Sequence, residues 1–240
     1  MTTIILKEVK SFFGTIFGYI ILALFLIAIG LLCWVFPDTN FIDYGFADMG
    51  TFFSFCPIIF LFYIPAIAMK SFAEEKKQGT LELLLTKPIS LEKIVLGKYF
   101  SIVIIIILSL LPTLIYYFSI AEMGNPKQNI DAAAVVGSYL GLVLVGAVFA
   151  ALGILFSVLT NNQIVAFVLS VFIGFILYFG LSALSSVMAG GFIKYWTNVI
   201  SLDNQYEGLG KGLIDSRNIF FFFSIIFLTL FASVQILKKS

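Results

Sequence analysis

The chain has 240 residues, 61% of them hydrophobic and 11% charged, with a formal net charge of +1. A water-soluble domain needs roughly a quarter of its residues charged, so the composition excludes a soluble fold and predicts one integral membrane domain over 1–240. The net charge says nothing about nucleic acid, but no basic patch interleaved with aromatics appears, so nucleic acid is not expected as a partner. The lack of histidine, with only two cysteines, excludes a thiol–imidazole metal site.

The chain opens on an amphipathic stretch. Ile5, Val9, Phe12 and Phe13 recur at i, i+4, i+7 and i+8, with Lys7 and Lys10 off that stripe. This predicts a helix lying along the inner leaflet ahead of the first span. A plain anchor with no mechanical role fits the pattern equally well.

A helical crossing takes about 20 apolar residues, and six stretches qualify: about 18–36, 51–69, 99–120, 132–159, 164–189 and 219–237. The alternating pattern of a β-barrel strand is absent, so the predicted fold is all-α with six transmembrane helices. The first apolar run is too long for a cleaved signal and ends in no small-x-small site. Leu31 and Leu32 before Cys33 argue against a lipobox. Cys33 and Cys56 read as two small buried hydrophobes, although a disulfide between them is possible. Pro57, Pro65 and Pro112 lie inside spans and predict kinks.

The fourth and fifth spans are joined only by 160–163, a tight helical hairpin. Gly137-x-x-x-Gly141 and Ala147-x-x-x-Ala151, with Gly146, Ala150 and Gly153, allow close helix approach, within the molecule or at a dimer face. No ionisable residue sits at mid-span; Lys70 and Glu122 lie at span ends, where snorkelling is ordinary. This argues against an ion-coupled carrier and an intramembrane protease. Glu74-Glu75 fails as a Glu-Glu-x-x-x-Arg protease motif, because position 79 is glycine and no histidine exists.

The last outer loop, 190–217, carries Tyr195 and Trp196 for an interfacial belt. Gly208, Gly210 and Gly212 lack the Gly-Lys-Ser/Thr ending of a phosphate cradle and predict a flexible turn before the sixth helix. Nowhere does a Gly-x-x-x-x-Gly-Lys-Ser/Thr motif occur, so any ATP driving this chain must be hydrolysed by another protein.

Charge sets the direction. With the N-terminus inside, inner segments hold ten basic residues: Lys7, Lys10, Lys70, Lys76, Lys77, Lys87, Lys93, Lys98, Lys238 and Lys239. Outer loops hold four, Lys127, Lys194, Lys211 and Arg217, while Asp38, Asp43 and Asp48 crowd the first. Both termini are therefore expected in the cytoplasm.

The long polar break at 72–98 reads FAEEKKQGTLELLLTKPISLEKIVLGK. Leu81, Leu83, Leu84 and Leu85 follow Gly79-Thr80, Pro88 ends the helix, and Ser90 can cap the next. The expected result is a short helix, a proline break and a second helix running into span three. The competing reading is a solvated cytoplasmic loop.

The string from Phe72 to Pro88, followed by Gly97-Lys98, resembles the signature loop of ABC-2 type permeases. The stretches LKEVKSFFGTIFGY at 6–19 and KGLIDSRNIFFF at 211–222 resemble the same family. The likeness is to its compact six-span branch, which includes the gliding-motility and nitrous-oxide-reductase accessory permeases. The 28 phenylalanines, the excess of Lys over Arg and the short outer loops are most similar to the gliding-motility subunits.

The resemblance implies a non-enzymatic, multi-pass subunit of the bacterial inner membrane, paired with a second permease half and cytoplasmic ABC ATPases. It implies no cofactor. Ile5, Val9, Phe12 and Phe13 would form its elbow helix, and about 79–86 the coupling helix that seats in the ATPase. Glu75 and Glu82 would be polar contacts or part of a charge relay. Gly79 would allow the tight turn in and Pro88 the way out, with Thr80, Leu83 and Lys98 in the same coupling loop. Re-entrant outer helices would fall in 190–217. Gliding motility, maturation of a periplasmic enzyme, lipid or polysaccharide export, and a non-transporting scaffold are the roles left open.

Overall fold

The computed structural model describes residues 1–37, 39–41, 48–85, 89–124, 129–187, 190–210 and 215–239. The described residues contain helices and no strand. Helix α1 (Thr2–Phe13) stops at Gly14, and Thr15 turns the chain into α2 (Ile16–Trp34). The Thr15 hydroxyl accepts from Gly18 N–H at 3.3 Å and donates to the Phe12 carbonyl at 3.1 Å, so one side chain serves both helix ends.

Helix α3 (Gly50–Ala68) leads almost directly into α4 (Lys70–Lys77) and then α5 (Thr80–Leu85). Helix α6 (Leu91–Leu110), a 3-10 turn at Leu111–Thr113 and α7 (Leu114–Met123) make the third crossing, longer at its start than 99–120. Ser90 stands at the N-cap of α6, yet its side chain makes no capping bond there. Of the three prolines expected to kink spans, Pro112 sits in the 3-10 turn, while α3 runs on through Pro57 and Pro65.

Helix α8 (Ala132–Leu159) matches the expected fourth span. The fifth is composite: α9 (Gln163–Phe175), a π-helical turn at Ile176–Gly180, and α10 (Leu181–Val187). Two short helices follow, α11 (Phe192–Ile200) and α12 (Leu202–Gly210), before α13 (Ser216–Lys239) closes the bundle. Among the described residues, six helical stretches are long and apolar enough to cross a membrane. Cys33 and Cys56 are buried and unpaired.

The most buried crossing is α8, and its small residues are the reason. A Cβ at Gly153 would sit 2.3 Å from that of Ala68, and one at Gly141 would stand 2.8 Å from the Tyr206 ring. A Cβ at Gly146 would meet Ile106 at 3.2 Å. These glycines therefore let α3, α6 and α12 approach α8 within one chain. Helix α2 is far less covered: it leaves Ile16, Ile20, Leu24 and Ile27 exposed and is buried on only a narrow stripe around Phe25, Ile29 and Cys33.

The flexible turn expected around the glycine run is overturned. Gly208 and Gly210 belong to α12, whereas Gly212 lies outside the described residues. Leu202, Tyr206 and Leu209, at i, i+4 and i+7, form a buried stripe that holds this polar segment helical against the bundle.

Candidate functional site: the junction of α1, α4, α5 and α6

The end of the bundle that carries the N-terminus brings together most of the residues singled out from sequence. Helix α3 gives way to α4 at Met69, and the seam is filled from α8. The Ser157 hydroxyl accepts from the N–H groups of Phe72 and Ala73, both at 2.9 Å, and donates to the Met69 carbonyl at 3.1 Å. Lys76 adds a bond to the Val158 carbonyl. Helix α4 is thereby fastened to the most buried helix as well as to α3.

Helix α4 ends where Gln78 N–H bonds to Glu74 at 3.0 Å and Gly79 N–H to Lys76 at 3.2 Å. Gly79 has φ +69°, the left-handed region in which a side chain is strained. The turn it makes throws the chain into α5, and the Thr80 hydroxyl reaches back to the Glu75 carbonyl at 3.3 Å. Leu81 is buried and Glu82 is exposed. Leu83 lies in α5, and Pro88, expected to end the loop, lies outside the described residues.

Lys98 is not a surface residue of the loop. It lies inside α6, 2% exposed, because α1 and α4 both close over its ammonium. The Glu75 carboxylate of α4 is at 2.7 Å and that of Glu8 on α1 at 3.5 Å. The ammonium also donates to the Ser71 carbonyl and sits 4.9 Å from the centre of the Phe72 ring. One cation thus ties α1, α4 and α6 together, and such desolvated, charge-assisted bonds are the strong ones.

The elbow stripe packs inward through Ile4, Val9, Phe12 and Phe13, while Ile5 is half-buried beside it. Close approach of α1 to α6 depends on Gly97, where a Cβ would meet Ile4 at 2.9 Å. Glu8 escaped the sequence reading. Its signal was a carboxylate one helical turn from both Ile4 and Phe12, on the face that the stripe commits to packing.

Between these helices lies a cavity of about 520 Å³, whose wall includes Lys7, Glu8, Lys70, Glu74, Glu75 and Lys98. Lys70 stands over the Phe17 ring at 3.3 Å from its centre. The second oxygen of Glu75, Oε2, is buried with no hydrogen-bond partner.

The far end is built differently. Pro57 has no N–H to give the Phe53 carbonyl of the preceding turn, and the Tyr206 hydroxyl donates to that carbonyl instead, at 2.9 Å. Asn204 bonds Asn198, and Asn218 bonds the Gln205 carbonyl. Burial and neighbouring Glu207 push the Asp203 carboxyl above its usual range, against opposing hydrogen bonds from Tyr178 and Ser182.

No curated protein matches the chain. The model of the ABC-2 family transporter protein matches residues 37–204, which reach from before α3 into α12 and include the whole α3–α6 junction. A match over more than half the chain, on a bundle of six membrane-length helices, makes this protein a multi-pass membrane component of the ABC-2 transporter permease family.

Proposed function

We propose that this chain is the permease subunit of an ATP-binding-cassette exporter, and that α5 seats in a groove of a cytoplasmic ATPase. The observation that carries the reading is the Lys98 junction. A push on α5 reaches α4 through the Gly79 turn, and from α4 it reaches α1 and α6 through Glu75 and Lys98 and α8 through Ser157. An isolated solvated loop has no need of such fastening.

In this reading both termini are cytoplasmic, which the charge asymmetry supports. Two permease halves pair, and closure of ATP-bound subunits draws their α5 helices together. The bundle then moves between two packings, inward and outward, through differential contacts with the ATPase. The exposed Glu82 is the polar contact on the docking face. The physiological role we assign is export in support of gliding motility, on the phenylalanine-rich spans and compact outer loops.

Tagged purification in mild detergent, with mass spectrometry of stoichiometric partners, tests the assignment. An ATPase subunit is expected with the wild type and lost on Gly79→Pro or Glu82→Lys, while membrane insertion stays normal. A homo-oligomer with no nucleotide-binding partner overturns it in favour of a carrier or scaffold. For the physiological role, a deletion strain that still spreads on surfaces would redirect the assignment to enzyme maturation or to lipid or polysaccharide export.

A further inference from the structure

We infer that the cavity between α1, α4 and α6 binds a zwitterionic aminophospholipid headgroup, one phosphate with one primary ammonium. Its volume of about 520 Å³ falls within the usual range for small-ligand sites. The selectivity follows from what its wall leaves unpaired.

Lys98 is already committed to Glu8 and Glu75. Lys70 is not: among the described residues its ammonium faces the Phe17 ring and has no carboxylate within ion-pair distance. Lys7 is paired with Glu8 at 3.7 Å and is largely exposed. Lys70 is therefore the cation free to meet a phosphate, with Lys7 at the exposed rim. On the same wall the Glu74 carboxylate takes a single long bond, 3.3 Å from the Gln78 amide, and Glu75 Oε2 takes none. Glu75 Oε2 is enclosed, so the Glu74 carboxylate is the acceptor that an ammonium brought to this wall meets.

Three lysines and three glutamates line the space, so it is balanced in charge. A purely anionic ligand meets Glu8, Glu74 and Glu75, and a purely cationic one meets the lysines. A primary ammonium offers three N–H donors to these carboxylates, whereas a quaternary ammonium offers none.

The apolar part of the site fits the glycerol and acyl end. Phe12, Phe17, Ile67, Ile102 and Ile105 give the wall its apolar part. Just beyond it the start of α2 is bare, with Ile16 80% and Ile20 53% exposed, so an acyl chain has an apolar track out of the cavity. The proposal does not depend on α5 docking an ATPase.

Native mass spectrometry of the delipidated protein tests it, with phosphatidylethanolamine, phosphatidylcholine and phosphatidylglycerol added in equal amounts. Phosphatidylethanolamine should be retained about tenfold over the other two, as expected for one additional charge-assisted hydrogen bond. Lys70→Met and Glu74→Gln should each erase most of that preference, and Lys70→Arg should keep it. Soluble phosphoethanolamine competing at millimolar concentration would support the headgroup chemistry with a free solute as its source. Failure to compete would support the lipid. Equal retention of all three lipids, or a Lys70→Met/Glu74→Gln protein that binds as the wild type does, overturns the site.

Discussion

The two ends of the bundle are fastened by different physics. At the N-terminal end a buried cation joins three helices and a serine joins a fourth, across sequence separations of 23 to 90 residues. At the other end α12 is seated by shape. The Tyr206 ring fills the space a side chain at Gly141 would occupy, and its hydroxyl caps the carbonyl that Pro57 leaves open. The α4 end is tied from several directions, as the proposed coupling role needs. An element that only closes a space can rest on a short buried stripe around one aromatic plug and detach while the crossings stay intact.

The contrast breaks most sharply at Lys98. Lys98→Met leaves Glu8 and Glu75 facing each other without their cation, and loss of one partner in a buried ionic group costs about 3–5 kcal/mol. Thermal unfolding in detergent should show a loss of that size, and adding Glu75→Gln should restore much of it. A change under about 1 kcal/mol, the value of a surface pair, would remove the ionic account of this end.

Gly141→Leu is the matching test at the far end. Its Cβ would stand 2.8 Å from the Tyr206 ring, and overpacking costs about 1–3 kcal/mol. Proteolysis should rise within α12 while the crossings keep their protection. Global unfolding would mean that α12 is part of the frame rather than a plug.

The smallest effect is a pH dependence of α12. The folded protein raises the Asp203 pKa, so the fold favours the protonated acid. The stabilisation it provides is complete below the usual carboxylate value of 3.8 and is lost as pH rises through the raised value. Emission from Trp196 in a Trp34→Phe background should therefore report a looser α11–α12 segment as pH rises, and Asp203→Asn should flatten the response. A response unchanged by Asp203→Asn would assign the pH sensitivity to another group.

Much of the frame was legible in sequence. Six apolar runs of crossing length gave six crossings, and the fourth matched because its run is flanked by Asp131 and by Thr160–Asn162. The third began earlier than hydropathy suggested, since Glu92, Lys93 and Lys98 hide a continuous helix from an average. Within 190–217, where the resemblance implied outer helices, Gly208 and Gly210 were read as a turn for the same reason, the three buried side chains of α12 being outnumbered by polar neighbours. At the junction, Glu75, Gly79 and Lys98 were each singled out, but not the pairing of Glu75 with Lys98, because it joins two helices across a turn. Ser157 gave no signal at all, as a serine inside an apolar span looks like a neutral spacer.

Ser157 also constrains the order of assembly. The amides of Phe72 and Ala73 enter the membrane region about 85 residues of synthesis before the hydroxyl that serves them. Until the fourth crossing is made, a nascent chain with three inserted crossings has an unfastened seam between α3 and α4, with donors that water or lipid headgroups must satisfy. The α3–α4 seam is fastened late, as a product of the second half of translation, and a chain truncated before α8 should insert with that seam slack.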